Sequence, residues 1–225
     1  MNRRPAWIAL SALLALTSAA AAQSKVWSGR LGQAYTDEIR GFTVRPPAEA
    51  ERVTESSERR LVAWVLREQK TQAIRWTLEL LRIRTDPEMD KLPIEKFAKQ
   101  VADEMARSNR FKTNSTRTGK VAGRPAMHFR GVWSGALKLW QRQTWVRTGE
   151  GTHLVLSLSG QLTEGKQLDR LMDAVVGSLR LFDPAEARKR RKDQLRAGQA
   201  LLDELTGDKL RAKVLSEPLY YIIHS

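Results

Sequence analysis

Ala73-Ile74-Arg75-Trp76-Thr77-Leu78-Glu79-Leu80-Leu81-Arg82-Ile83-Arg84 alternates in chemistry. Ile74, Trp76, Leu78 and Leu80 project to one side of an extended chain, and Arg75, Thr77 and Glu79 to the other. A period of two belongs to a sheet with one buried face, so this stretch decides for a β-sheet core. Just upstream, Leu61 to Leu66 carries Val62, Trp64 and Val65. The polar link Gln69–Gln72 is short enough to make the two a hairpin.

Working outward, Asp86-Pro87 breaks the strand and a helix is expected from near Leu92, with Pro93 in its first turn. Ile94, Phe97, Ala98, Val101 and Met105 then form one apolar stripe at helical spacing. Four extended segments follow. Phe111 to Val121 is polar and Thr-rich, as an edge strand would be. Ala126 to Trp133, Leu137 to Arg147 and Thr152 to Ser159 are strands joined by turns at Gly123-Arg124-Pro125, Ser134-Gly135 and Gly149-Glu150-Gly151. Links this short predict an antiparallel meander. Leu168, Leu171, Met172, Val175, Val176 and Leu179 give the clearest helical pattern in the chain, and a helix so patterned must cover a sheet. Asp183-Pro184-Ala185-Glu186 signals another helix start, with Asp as N-cap. That helix carries Arg188 to Lys192 and ends near Gly207. Upstream of all this, Gly41-Phe42-Thr43-Val44-Arg45-Pro46-Pro47 reads as a short strand stopped by prolines, and residues 48–58 as an acidic, polar loop.

Composition bounds what such a sheet can be. The chain has 225 residues, 41% hydrophobic and 28% charged, a soluble balance with enough apolar content for a packed core. It has no cysteine, which excludes disulfides, thiolate chemistry and cysteine-based lipidation. Arg3 and Arg4, the apolar run Trp7–Leu16 and the small residues Ala19–Ala22 form a signal-peptide pattern. The run is shorter than the roughly 20 residues a membrane span needs; an uncleaved anchor is the alternative. Bacterial export to the periplasm or beyond is therefore expected. Loss of residues 1–22 takes the formal charge from +14 to +12.

The element order, a Gly-Phe-led strand, a hairpin, a helix, a four-strand meander and a closing helix, resembles the PsbP-like superfamily, with its PsbP, Mog-type and DcrB-like members. Three stretches carry the likeness: Gly41 to Pro47, Gly123-Arg124-Pro125-Ala126, and Val176-Gly177-Ser178-Leu179-Arg180-Leu181, where Leu179 stands in place of the commoner aromatic. It covers roughly residues 41–182. It implies an α+β fold, an antiparallel sheet flanked by helices as an α-β-α sandwich, with a C-terminal helical extension. It implies no catalytic residue set and no cofactor. The expected organisation is a signal peptide at 1–22, a leader at 23–40, the α/β domain at 41–182, a basic helix or linker at 183–207, and a terminal segment at 208–225. Within that segment Leu219–Ile223 is an apolar strand, read as the start of a further domain or as a strand docking on the main sheet.

Functional residues are sparse. His128 and His153 sit in separate expected strands without the three or four ligands that a metal site needs. Ser157-Leu158-Ser159-Gly160 lacks the leading glycine of a nucleophile elbow. Asn114-Ser115-Thr116 matches a glycosylation sequon, a chance match in a bacterial chain. Trp140 and Trp145, flanked by Lys138, Arg142 and Arg147, are either core residues or an aromatic platform for a ligand. Five positions apart, they face opposite sides of a strand. Arg188-Lys189-Arg190-Arg191-Lys192 is either a solvated helix face or an attachment to anionic phospholipid or wall polymer. The expected function is a non-enzymatic module binding a protein partner in the cell envelope. The alternatives are an electrostatic adaptor to an anionic surface, and a carbohydrate-binding or hydrolytic domain. Nucleic acid is not an expected partner.

Overall fold

Alternating stretches of the sequence become strands throughout. In chain order the elements are β1 (Tyr35–Asp37), β2 (Phe42–Val44), β3 (Glu51–Val53), β4 (Arg60–Arg67), β5 (Ile74–Arg84), the short α1 (Pro87–Asp90), α2 (Ile94–Arg107), β6 (Phe111–Val121), β7 (Arg124–Ser134), β8 (Lys138–Gly149), β9 (Thr152–Gln161), α3 (Gly165–Ser178), β10 (Arg180–Leu181) and α4 (Pro184–Asp203). The computed structural model describes residues 27–53, 57, 59–107, 111–134, 138–149 and 151–203. The signal-peptide pattern at 1–22 and the apolar segment Leu219–Ile223 lie outside them. The described residues divide into two compact units, one of 27–35 with 43–180, the other of 36–42 with 181–203.

The first unit holds a seven-stranded antiparallel sheet ordered β3-β4-β5-β9-β8-β7-β6. β1, β2 and β10 form a separate three-stranded sheet in the order β1-β2-β10. The fold is the α+β arrangement expected, and its long strands and helices follow the order read from the sequence.

Register fixes which residues share a face. Trp76, Leu78 and Leu80 of β5 stand opposite Gly160, Leu158 and Leu156 of β9, which stand opposite Trp140, Arg142 and Thr144 of β8. α3 seals this face with Leu168, Leu171, Met172 and Val175, all fully buried. Its close approach depends on glycine. A Cβ at Gly160 would lie 2.8 Å from Leu168 Cδ1, and one at Gly165 would lie 2.8 Å from Trp140 Cδ1. The opposite face is sealed by α2. Phe97 and Ala98 join Phe111, Met127, Phe129, Trp145 and Val155 in one apolar cluster, edged by Ile94, Val101 and Met105. Phe129 and Trp145 meet edge to face at 6.2 Å, a favoured aromatic geometry.

Three short strands depart from the sequence reading. β1 falls in the expected leader, β3 in the expected acidic loop, and β10 just past the end of the closing helix, which stops at Ser178. Two or three residues are too few to show a period. β3 exists because Glu51, Arg52 and Val53 find Val65, Trp64 and Ala63 on a strand already in place.

Gly160→Ala is expected to cost about 1–3 kcal/mol through overpacking against Leu168, read by urea denaturation. Gly149→Ala, where an added Cβ meets nothing within 4 Å, should shift stability by less than about 0.5 kcal/mol.

Candidate binding surface

Trp140 and Trp145 face opposite sides of the sheet, and both sides are covered. Each is only 4% exposed. Trp140 lies under the start of α3 and Trp145 under α2, where its indole N–H donates to Gln143 Oε1 at 2.9 Å. The aromatic-platform alternative is corrected on this point: neither ring offers a face to a ligand. The two histidines also separate. His128 of β7 pairs with Thr144 on the α3 face, while His153 of β9 pairs with Arg147 on the α2 face and lies 5.0 Å, centroid to centroid, from Phe97. Among the described residues no three metal-ligating side chains gather.

The basic run lies on α4. The Asp183 carboxylate accepts from the Ala185 N–H at 2.8 Å, capping the helix start. Arg188, Lys189, Arg190, Arg191 and Lys192 are all exposed. Arg191 reaches Glu38 at 3.4 Å, a solvated pair that contributes little.

A second basic region was not legible in the sequence. α3 rests on β8 and β9, and the α3 face beyond them carries Arg130 of β7 and Arg117 and Lys112 of β6, all exposed. Lys112 and Arg117 are five apart, which on a regular strand sets them on opposite faces. The register shifts between Thr113 and Ser115, so Asn114 is extra. This bulge brings Lys112, opposite Val132, and Arg117, opposite His128, onto the same side. On the side nearer the helix the cations are answered by acids. Arg142 Nη2 donates to Asp173 Oδ1 at 2.6 Å, and Arg130 Nη1 lies 3.2 Å from Asp169 Oδ2. Lys112 and Arg117 have no such ion pair among the described residues. His128 sits between, its Nδ1 3.0 Å from Thr144 Oγ1. Burial holds its pKa below the ordinary imidazole value, with Arg142 and Arg117 adding to the shift and Asp173 opposing it.

Among the described residues β6 is also the end of the sheet. Its turn into β7 is Ala122-Gly123, both at positive φ (49° and 76°), the two-residue primed hairpin. In such a hairpin the closing pair, here Val121 and Arg124, exchanges both backbone bonds, and bonded and unbonded pairs alternate from there. Gly119, Arg117 and Ser115 therefore bond to β7, whereas Lys120, Thr118 and Thr116 direct their N–H and C=O away from the sheet. Pro125, which has no N–H, stands opposite Lys120, where β7 needs no donor. Thr116, Thr118 and Lys120 are exposed.

No family model matches the chain, and no curated protein matches it. Solved structures do. PsbP of the cyanobacterium Synechocystis aligns at 16% identity over 71% of this chain and 96% of its own, with a TM-score of 0.48. LpqN of Mycobacterium tuberculosis, described as involved in cell envelope biogenesis, aligns at 15% over 67% and 90%, TM-score 0.49. The Ran-binding protein Mog1p of Saccharomyces cerevisiae aligns at 12% over 64% and 92%, TM-score 0.47. What these proteins bind or build remains theirs.

Two half-buried titrating groups give opposite pH signatures. With the folded pKa of His128 lowered, the native state holds fewer protons than the unfolded chain below about pH 6.5, so stability falls as pH drops through that value. His128→Gln should lessen the fall in melting temperature between about pH 7.5 and about pH 5. Glu79, on the other face, has its pKa raised by burial, which outweighs the nearby Arg60 at 3.5 Å. Its cost appears as pH rises above the ordinary carboxylate range. Glu79→Gln should therefore raise the melting temperature near pH 7, with the gain fading toward about pH 4.

Proposed function

We propose that this protein is a non-enzymatic binding module of the bacterial cell envelope, exported by its signal sequence, that engages a protein partner along β6. The observation that carries this reading is the eleven-residue β6 itself. It ends the sheet, leaves Thr116, Thr118 and Lys120 exposed with outward backbone groups, and is flanked by Lys112, Arg117 and Arg130. Sheet edges and charged rims of this kind set register and partner choice in strand-mediated recognition. A photo-crosslinking amino acid at Thr116, in the protein expressed in its own envelope, should give a discrete protein adduct. Lys112→Glu with Arg117→Glu should abolish it. An adduct pattern indifferent to these charges, or none at all, overturns the reading.

The α4 run supports a second reading, attachment to an anionic membrane or wall polymer through Arg188, Lys189, Arg190, Arg191 and Lys192. Five exposed cations on one helix supply roughly 1 kcal/mol each near such a surface, and the attraction weakens with salt. Replacing all five with Gln should lower sedimentation with anionic vesicles by at least about tenfold at low salt. Unchanged sedimentation discards this second role.

A further inference from the structure

We infer that the partner contributes an extended acidic strand, with Asp or Glu at alternate positions, that lengthens the seven-stranded sheet by pairing with β6 between Thr116 and Lys120. The inference rests on the protein-binding reading above and names the chemistry of the bound segment.

Three independent features of the edge lead there. The first is backbone geometry. From Ser115 to Val121 the strand is free of bulges, and its outward groups recur at every second residue, at Thr116, Thr118 and Lys120. An added strand would find donors and acceptors at its own spacing.

The second is charge. Arg117 and Lys112 rise on the α3 face of this edge and Arg130 stands beside them. Cross-strand pairs of opposite charge stabilise a sheet and like pairs oppose it. A second copy of β6 would bring another Arg117 and another Lys120 to the same short seam. The same cations that keep the edge from joining itself, a common guard on edge strands, admit a strand bearing carboxylates.

The third is the contrast between the two faces. On the α2 side the edge borders a groove lined by Ala102, Ala106, Phe111, Thr113, Thr116 and Ser134, with Lys112 at its margin. Thr118 Oγ1 donates to Glu95 Oε1 at 3.4 Å there, and Asp103 lies along the same groove. Over Thr116 and Thr118, Glu95 and Asp103 make that side suited to compact neutral residues, and Lys120 is the exposed cation at the turn end of the same face. A strand whose acids all face α3 and whose small residues face α2 meets both conditions, and alternation is what an extended chain supplies.

The test uses three capped synthetic peptides with the full chain: alternating Glu-Thr, alternating Lys-Thr, and a Glu-Thr peptide interrupted by proline so that it cannot pair as a strand. Binding is titrated, and amide hydrogen exchange is followed residue by residue. The Glu-Thr peptide should slow exchange at Thr116, Thr118 and Lys120, and the other two should bind at least about tenfold more weakly. Thr118→Pro removes an outward donor while sparing the bonds to β7, and it should weaken Glu-Thr binding at least about tenfold. Unchanged exchange in β7 and β8 reports that the fold is kept. Arg117→Glu should weaken binding likewise. Equal binding of the Lys-Thr or proline-containing peptide, absence of protection at the three amides, or indifference to Thr118→Pro overturns the inference. So does protection that grows with protein concentration in the absence of peptide, which would mark self-pairing. If the crosslink at Thr116 persists while the peptide fails, the acidic strand is wrong and protein binding stands. If both fail, the β6 reading falls with it.

Discussion

The close seating of α3 on the sheet is the contact on which the rest depends. A strand such as β5 that alternates Trp76, Leu78 and Leu80 with polar residues cannot leave its apolar side in water. α3 covers that side, and it reaches the backbone only because Gly160 and Gly165 leave room for Leu168 and Trp140. With that face closed, β8 and β9 become central strands, and their reverse sides are left to α2. The two helices thereby divide the sheet into a covered centre and a margin. Lys112, Arg117 and Arg130 stand on the margin because α3 ends its cover at β8. Asp169 and Asp173 at the border of α3 neutralise Arg142 and engage Arg130, so net positive charge is displaced outward to the strand that ends the sheet.

Much of this architecture was readable in the residues. The long strands announced themselves by period two, and α2 and α3 by stripes of Phe97, Val101 and Leu168, Leu171, Val175, because burial on one side leaves an unmistakable spacing. The Thr-rich run at 111–121 read as an edge and is one. Polar, β-branched composition suits a strand with one unpaired side. The short strands β1, β3 and β10 were invisible. Two or three residues carry no period, and they become strands only through partners supplied by tertiary structure.

The candidate binding surface was legible only in part. Arg188 to Lys192 stood out as a contiguous run, and contiguity is easy to see. The basic strip on β6 and β7 is assembled from residues distant in sequence, and its most informative pair is hidden by the bulge at Asn114. Counting by twos from Lys112 sends Arg117 to the wrong face. Only the pairing of Lys112 with Val132 and Arg117 with His128 restores it. Trp140 and Trp145 erred in the other direction. Their spacing correctly placed them on opposite faces, but the exposure of either depended on whether both faces were roofed, which no local pattern records.

The strand order has a kinetic consequence. Within the seven-stranded sheet, β3, β4 and β5 follow one another, as do β6, β7, β8 and β9, and each neighbour is reached through a short link. The junction of β5 with β9 alone joins segments far apart in the chain, Trp76 with Gly160 and Arg84 with Thr152. Closing it requires the whole stretch from α1 to β8 to be gathered into a loop. Its entropic cost falls on a single step, late in assembly, because non-local pairing is slow relative to hairpin formation. The two ribbons can each form early, but α3 finds its floor only after they merge, so commitment to the native state and completion of the core coincide.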